Sequence, residues 1–216
     1  MAKEIKAVGL DLDGTLYPST DEIQGRIRGK IYEKLADHFG IPFDTAMALF
    51  EDGYDRLHSG SKTIAEISDK YGKPINGSEI VQDSLQEADI LDLILPNPEL
   101  VGMLERISQT KRLDLLTGSA YGFALKKLER LGVDPGVFSI FLADEHGSKS
   151  DLSLFSRWFE VTGLSSCEHF YVGDNKKQDI DNPKSLGVGT CIIGNYELAD
   201  FRINNILELE GLLNSI

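Results

Sequence analysis

Five short apolar runs, each cut off abruptly by a polar residue or a glycine, constrain the fold of this chain more than any other feature. They are Ala7–Leu12, Leu113–Leu116, Phe138–Leu142, Phe170–Val172 and Gly189–Ile193. Between the last four lie segments whose apolar residues recur at a helical period: Ala120–Leu131, Asp151–Val161 and about Gln178–Leu186. Short unbroken apolar runs suit strands buried on both faces, and intervening helices suit crossovers. The pattern therefore predicts an α/β chain with a Rossmann-like parallel sheet core. In such sheets the chemistry gathers where loops leave the carboxyl ends of the strands.

The stretch from Pro18 to Leu95 has another character. It reads as amphipathic helices over Ile23–Phe39, Phe43–Leu57, Ser61–Tyr71 and Ser78–Ala88, punctuated by Gly40, Gly60, Gly72 and Gly77. The expectation is a helical domain of residues 18–95 inserted after the first strand of a core made of residues 1–17 and 96–216. The stripe Ile27, Ile31, Leu35 and Phe39 reads as helix packing. Asn204–Leu213 reads as a closing helix.

Composition narrows the partners. Asp and Glu number 35 against 22 Lys and Arg, a net charge of −13. A field of that sign repels nucleic acid and anionic lipid, so neither a nucleic-acid polymer nor a membrane is expected as partner. A phosphorylated ligand must be drawn in locally, by a metal ion or a placed lysine. Two cysteines, Cys167 and Cys191, make no disulfide scaffold, and Cys191 in its apolar run reads as a buried thiol. The first residues, MAKEIKAVGLDLDG, hold no apolar stretch of signal-peptide length, and no run of the chain reaches membrane-spanning length. A cytoplasmic protein, monomer or homodimer, is expected.

The sharpest chemical feature is DLDGT, Asp11 to Thr15, at the end of the first apolar run. Two carboxylates two apart on a strand share one face, and packing them together is unfavourable unless a cation neutralises them or one carries a proton. Gly173-Asp174-Asn175-Lys176-Lys177-Gln178-Asp179 follows another strand, so two acidic sites can meet over one sheet edge. Oxygen ligands of this kind suit Mg²⁺. At two further strand ends stand Thr117, followed by Gly118 and Ser119 as a natural anion site, and Lys149, able to hold a phosphoryl oxygen. Lys126 and Lys127 lie in mid-helix and are expected to face outward.

Asp, Thr, Lys and Asp at four successive strand ends resemble the haloacid dehalogenase-like (HAD) superfamily along essentially the full chain. Its four motifs are matched by DLDGT, by LLTG (Leu115–Gly118), by Lys149 and by GDNKKQD (Gly173–Asp179). The helical insertion resembles the cap of its first capped subclass, and DLDGTLYPS with LPNPEL looks like the pyrimidine 5′-nucleotidase-like branch. The resemblance implies that Asp11 attacks phosphorus and that Asp13 is the general acid and base. It implies Mg²⁺ on the Asp11 carboxylate, the Asp13 backbone carbonyl and Asp174, supported by Asp179. Thr117, Gly118 and Lys149 would bind the phosphoryl group. Asp13 argues against the dehalogenase members, which lack that carboxylate. The chain departs from the family pattern at Ser150, where proline is frequent, at Asp181-Asn182-Pro183, and at Asn175 and Lys176; Lys176 reads as a solvated lysine.

The expected activity is Mg²⁺-dependent hydrolysis of a small phosphorylated metabolite, with a nucleoside monophosphate among the candidates. A phosphomutase would share all four motifs, and an inactive binding protein on this fold is the third reading. Candidates to touch substrate are Tyr17, Tyr54, Arg56, His58 and Lys62.

Overall fold

A computed structural model describes residues 4–57 and 59–216. In chain order, β1 (Ala7–Leu10) is followed by α1 (Asp21–Phe39), α2 (Phe43–Leu57), α3 (Gly60–Tyr71) and α4 (Gly77–Glu87). Next come α5 (Pro98–Ser108), β2 (Arg112–Leu116), α6 (Tyr121–Leu131), β3 (Ile140–Leu142), α7 (Ser153–Thr162) and β4 (His169–Gly173). The chain ends with α8 (Asn182–Ser185), β5 (Gly189–Ile193), β6 (Phe201–Ile203) and α9 (Leu209–Leu213). It divides into two compact units, Met1–Ser19 with Ile94–Ile216, and Thr20–Leu93.

The first unit is built on a fully parallel sheet in the order β3-β2-β1-β4-β5-β6. From β1 the chain builds outward to β2 and β3, then returns to β4 on the other side. The carboxyl end of β1 is thus a topological switch point, where a crevice opens above the sheet. Leu10 lies opposite both Leu115 and Val172, so β1, β2 and β4 deliver the residues that follow them to one edge. The Asp11 N–H still donates to the Val172 carbonyl at 2.9 Å, and there the chain leaves the sheet. β1 is accordingly shorter than its apolar run, and Leu12 is buried beyond the ladder.

Packing is close where Trp158 of α7 meets β1. A Cβ at Gly9 would fall 2.7 Å from the Trp158 ring, so only glycine admits the indole at that point. Trp158, Phe155, Leu154 and Tyr171 form one buried cluster with Leu116 and Leu142. The buried Asp114 carboxylate within it accepts from Trp158 Nε1 at 2.7 Å and Arg112 Nε at 3.1 Å, which satisfies a charge that burial alone would make costly.

Three regions differ from the sequence expectation. Gln178–Leu186 is not one helix: a single π-type turn, Lys176–Asp181, precedes the four-residue α8. Pro183, which has no N–H to give, sits in the first turn of α8, and the wide turn lets Asp179 reach back to the Asn175 N–H at 2.9 Å. Near the carboxyl end, a sixth strand β6 pairs with β5, and the expected closing helix reduces to a 3₁₀ turn, Ile206–Glu208, and α9. α5, unmarked by the sequence reading, is started by Asn97, whose side chain accepts from the Leu100 N–H at 3.1 Å, with Pro98 in its first turn.

The second unit is a four-helix assembly in which α1 and α3 each pack on α2 and α4. Thr20 caps α1, accepting from the Ile23 N–H at 3.2 Å, and Ile23, Ile27, Ile31 and Leu35 bury one stripe of it. Tyr32 meets Phe43 and Phe50 edge-on at 5.7 and 5.8 Å. Among the described residues, no helix is long and apolar enough to cross a membrane.

Candidate active site

Asp11 is the first residue beyond β1 and is buried. Its Oδ1 lies 2.8 Å from Lys149 Nζ, and the same ammonium holds Asp179 Oδ1 at 2.7 Å. Lys149 comes from the loop between β3 and α7, and the helix that follows begins at Ser153 rather than directly after the lysine. That loop is fastened from the other side, where Asn182 Nδ2 donates to the Lys149 carbonyl at 2.8 Å. Asn182 belongs to the segment that departs from the family pattern, and its buried amide gives that departure a structural task.

Asp174 completes the cluster from the end of β4. Oxygens of Asp11, Asp174 and Asp179 lie within 4.8 Å of one another. Gly14, at φ +81°, turns the chain back against the Asp174 carboxylate so closely that a Cβ there would overlap it. A Cβ at Gly173 would likewise overlap Asp179. The two glycines let both acidic segments share one small volume. Burial first, then repulsion from Asp179, pushes Asp174 up to about 6. Burial also drives Asp11 well above the usual carboxylate range, against the pull of Lys149 and with repulsion from Asp179, Asp13 and Asp174 adding to it.

The donor chemistry fits a hard divalent cation. Carboxylates forced together in a buried setting are relieved when an ion takes their charge, and oxygen ligands are what Mg²⁺ prefers. Asp179 has both oxygens engaged, by Lys149 and by the Asn175 N–H, so Asp11 and Asp174 are the better-placed ligands.

Asp13 is surrounded differently. Its Oδ1 accepts from the Tyr17 hydroxyl and from Lys127 Nζ, the latter at 2.5 Å, and its Oδ2 accepts from Ser119 Oγ at 2.8 Å. Burial would raise Asp13, but the Lys127 charge and the bonds from Lys127, Tyr17 and Ser119 outweigh it and hold the group below its ordinary value. Thr117 is buried at the end of β2, and its Oγ1 accepts from the Ser119 N–H at 3.1 Å. Gly118 is exposed between them. α6 starts only at Tyr121, so the Thr117–Ser119 segment is a turn ahead of the helix rather than its first residues.

Lys127 corrects the sequence reading. Instead of facing outward it is fully buried, on the same face of α6 as Ala124, Leu128 and Leu131, whereas Lys126 is exposed. The signal was present in the helical phase: position 127 lies three after Ala124 and four before Leu131, inside the apolar stripe. Tyr17, expected as a substrate contact, gives its hydroxyl to Asp13.

The candidates in the helical unit have local partners. Tyr54 stacks on Phe50 at 5.7 Å beneath the Arg28 guanidinium, and Arg56 pairs with Glu66 at 2.6 Å. Lys62 is exposed, and His58 lies outside the described residues. Lys176 is exposed, its ammonium 5.6 Å from the Tyr196 ring centre. Cys191 is buried and Cys167 exposed.

The parallel sheet gathers an acidic cluster, a threonine and a lysine at its switch-point edge, and comparison with known proteins finds phosphatases similar to this chain. No family model matches the chain. A curated relative, glyceraldehyde 3-phosphate phosphatase of Methanocaldococcus jannaschii, is 26% identical over 236 aligned positions covering 98% of each chain. A HAD phosphatase from Thermococcus onnurineus superposes with a TM-score of 0.66 at 22% identity, covering 97% of this chain and 98% of that one. A haloacid dehalogenase-like hydrolase from Streptococcus pneumoniae gives 0.67 at 17% identity, covering 96% and 98%. Over nearly its whole length the chain is thus similar in sequence to a curated phosphatase and shares its fold with haloacid dehalogenase-like hydrolases.

Proposed function

We propose that this HAD-like phosphatase is a Mg²⁺-dependent phosphomonoesterase that hydrolyses a small phosphorylated metabolite through an aspartyl-phosphate on Asp11. The observation that carries the reading is geometric: Asp11, Asp174 and Asp179 gather at one strand edge around Lys149, with Asp13 two residues beyond Asp11.

In this reading an Asp11 carboxylate oxygen attacks phosphorus, and the bond from phosphorus to the ester oxygen breaks. Asp13, once it has taken up a proton in the substrate complex, gives it to the departing oxygen, then takes one from the water that attacks the aspartyl-phosphate, releasing inorganic phosphate and restoring Asp11. Lys149, with the Thr117 and Gly118 turn, holds the phosphoryl oxygens as their charge redistributes. Asp11, Asp174 and the Asp13 backbone carbonyl would hold Mg²⁺, with Asp179 in support, and the ion would offset phosphoryl charge beside these carboxylates. The helical unit takes the part of a cap, so its variants would alter which phosphomonoester is accepted and leave the chemistry alone.

The test is phosphate release from UMP, CMP, AMP, glyceraldehyde 3-phosphate, phosphoglycolate and several sugar phosphates, with Mg²⁺ or EDTA, beside Asp11→Asn. Turnover that needs Mg²⁺ and vanishes in Asp11→Asn supports the reading, and the preferred substrate decides between a nucleotidase and a triose or sugar phosphate phosphatase. Phosphoryl exchange between sugar phosphates without net release would replace it with a phosphomutase. Turnover that survives Asp11→Asn would overturn the mechanism.

A further inference from the structure

Among the buried polar groups of the first unit, Lys127 is not accounted for by the hydrolytic scheme. Its side chain is fully buried on the inner face of α6, where Ala124, Leu128 and Leu131 are its neighbours along the helix. Nζ lies 2.5 Å from Asp13 Oδ1 and 2.7 Å from Ser119 Oγ, and 4.5 Å from the Phe123 ring centre. Burying an ammonium is expensive, and apolar residues of similar volume often replace buried ion pairs without loss of stability. Packing alone therefore does not require an ammonium here, although removing it by itself leaves Asp13 short of a partner.

The geometry suggests what the lysine does instead. Because Ser119 Oγ accepts from Lys127, its own hydrogen is directed to Asp13 Oδ2, at 2.8 Å. Ser119 is in turn tied to the end of β2 through its N–H and Thr117 Oγ1. Lys127 thus holds one oxygen of Asp13 directly and the other through Ser119, while Tyr17 adds a donor to the first. A carboxylate gripped at both oxygens from two directions has one orientation.

We propose that Lys127 is a positioning residue that fixes the Asp13 carboxyl group for proton transfer to the departing oxygen. This rests on the phosphatase reading above. Lys127 has no role in attack at phosphorus, so its removal should affect steps in proportion to how much they need Asp13. An alkoxide leaving group needs a proton, whereas p-nitrophenolate leaves without one.

The experiment follows leaving-group release in the first turnover of Lys127→Met, using p-nitrophenyl phosphate and glyceraldehyde 3-phosphate, or whichever alkyl phosphate of the panel turns over fastest. The expected result is a loss of about 10- to 100-fold in first-turnover release from the alkyl phosphate, as a misplaced acid gives. KM should stay within about threefold, and the p-nitrophenol burst should survive. Ser119→Ala should show the same leaving-group signature, more weakly, and it carries the test should Lys127→Met fail to fold. Equal loss on both substrates would mark a merely structural lysine and overturn the proposal, as would wild-type release from the alkyl phosphate. Asp11→Asn separates the two levels: residual turnover there defeats the phosphatase mechanism itself, whereas an inactive Asp11→Asn beside an unimpaired Lys127→Met defeats only the role of Lys127.

Discussion

Asp11 and Asp13 leave the same strand two residues apart, and each meets the ammonium of a buried lysine. Around Asp11, one lysine serves Asp11 and Asp179, with Asp174 close by. Around Asp13, one carboxylate receives a lysine, a tyrosine and a serine. The first carboxyl group is pushed up and the second down. Possession of a lysine does not separate the two, and the half-buried Asp13 is less enclosed than Asp11. The balance of acceptors to donors does separate them: the Asp11 side has surplus negative charge that a cation would offset, whereas the Asp13 side is already satisfied by the protein.

The largest expected difference between the two sides is chemical. Asp11→Asn should reduce phosphate release to background with every substrate, because no oxygen nucleophile remains. Asp13→Asn should lose about 10²- to 10⁴-fold, the usual contribution of general acid and base. With p-nitrophenyl phosphate it should still form the aspartyl-phosphate and accumulate it, which acid quenching and intact mass measurement would detect. Phosphoenzyme in Asp11→Asn, or none in Asp13→Asn, would break the division of labour.

Next in size is the effect on folding. Lys149→Met strips the shared ammonium from a group of carboxylates and should destabilise the metal-free protein by about 3–5 kcal/mol in urea unfolding. Lys127→Met leaves one carboxylate that keeps Tyr17 and Ser119, and should lose only about 1–3 kcal/mol. The opposite order would mean that the acceptor balance does not set the energetics.

Most of the Asp11 side was legible in the sequence, because its residues follow apolar runs directly and sit where a parallel sheet must end. Asp11, Asp174 and Lys149 could be placed at one edge without coordinates. The Asp13 side was not legible in the same way. Lys127 lies in a Lys-Lys pair in mid-helix, where one residue of helical phase decides between solvent and core, and composition favours solvent for both. Ser119 looked like part of an anion-binding turn, and nothing in its neighbourhood marks a bond to a residue more than a hundred positions earlier. β6 and the π-type turn were missed for a related reason: a three-residue strand and a single wide turn are shaped by tertiary partners, β5 for one and Asp179 with Pro183 for the other.

A smaller effect follows from pH. Asp174 titrates near 6, above the ordinary carboxylate value of 3.8, so the native protein holds a proton that the unfolded chain has released. A raised acid contributes stability below its unfolded value and loses it as pH rises through the folded one. Metal-free protein should therefore lose stability between about pH 4 and 6 at this site. Mg²⁺ competes with that proton, so the rise in Tm on adding Mg²⁺ should be larger at pH 7.5 than at pH 5, and Asp174→Asn should flatten the difference. Asp13, held below its ordinary value, has the opposite sign: its contribution is present above the unfolded value and fades as pH falls. An equal Tm rise at both pH values would remove the cation from the account of the Asp11 side.

The finest test is Tyr17→Phe. The ring packing stays, and the change deletes one of the three donors on Asp13 while Lys127 and Ser119 remain. A single hydrogen bond is worth about 0.5–1.5 kcal/mol net, so turnover should fall by no more than about tenfold. Because the substitution leaves the acidic cluster alone, the Tm rise produced by Mg²⁺ should be the same as in the wild type. A loss as large as that of Asp13→Asn would mean that the tyrosine hydroxyl, rather than the lysine and serine, fixes the carboxyl group. A changed response to Mg²⁺ would mean that the two sides, two residues apart at one strand end, are not electrostatically separate.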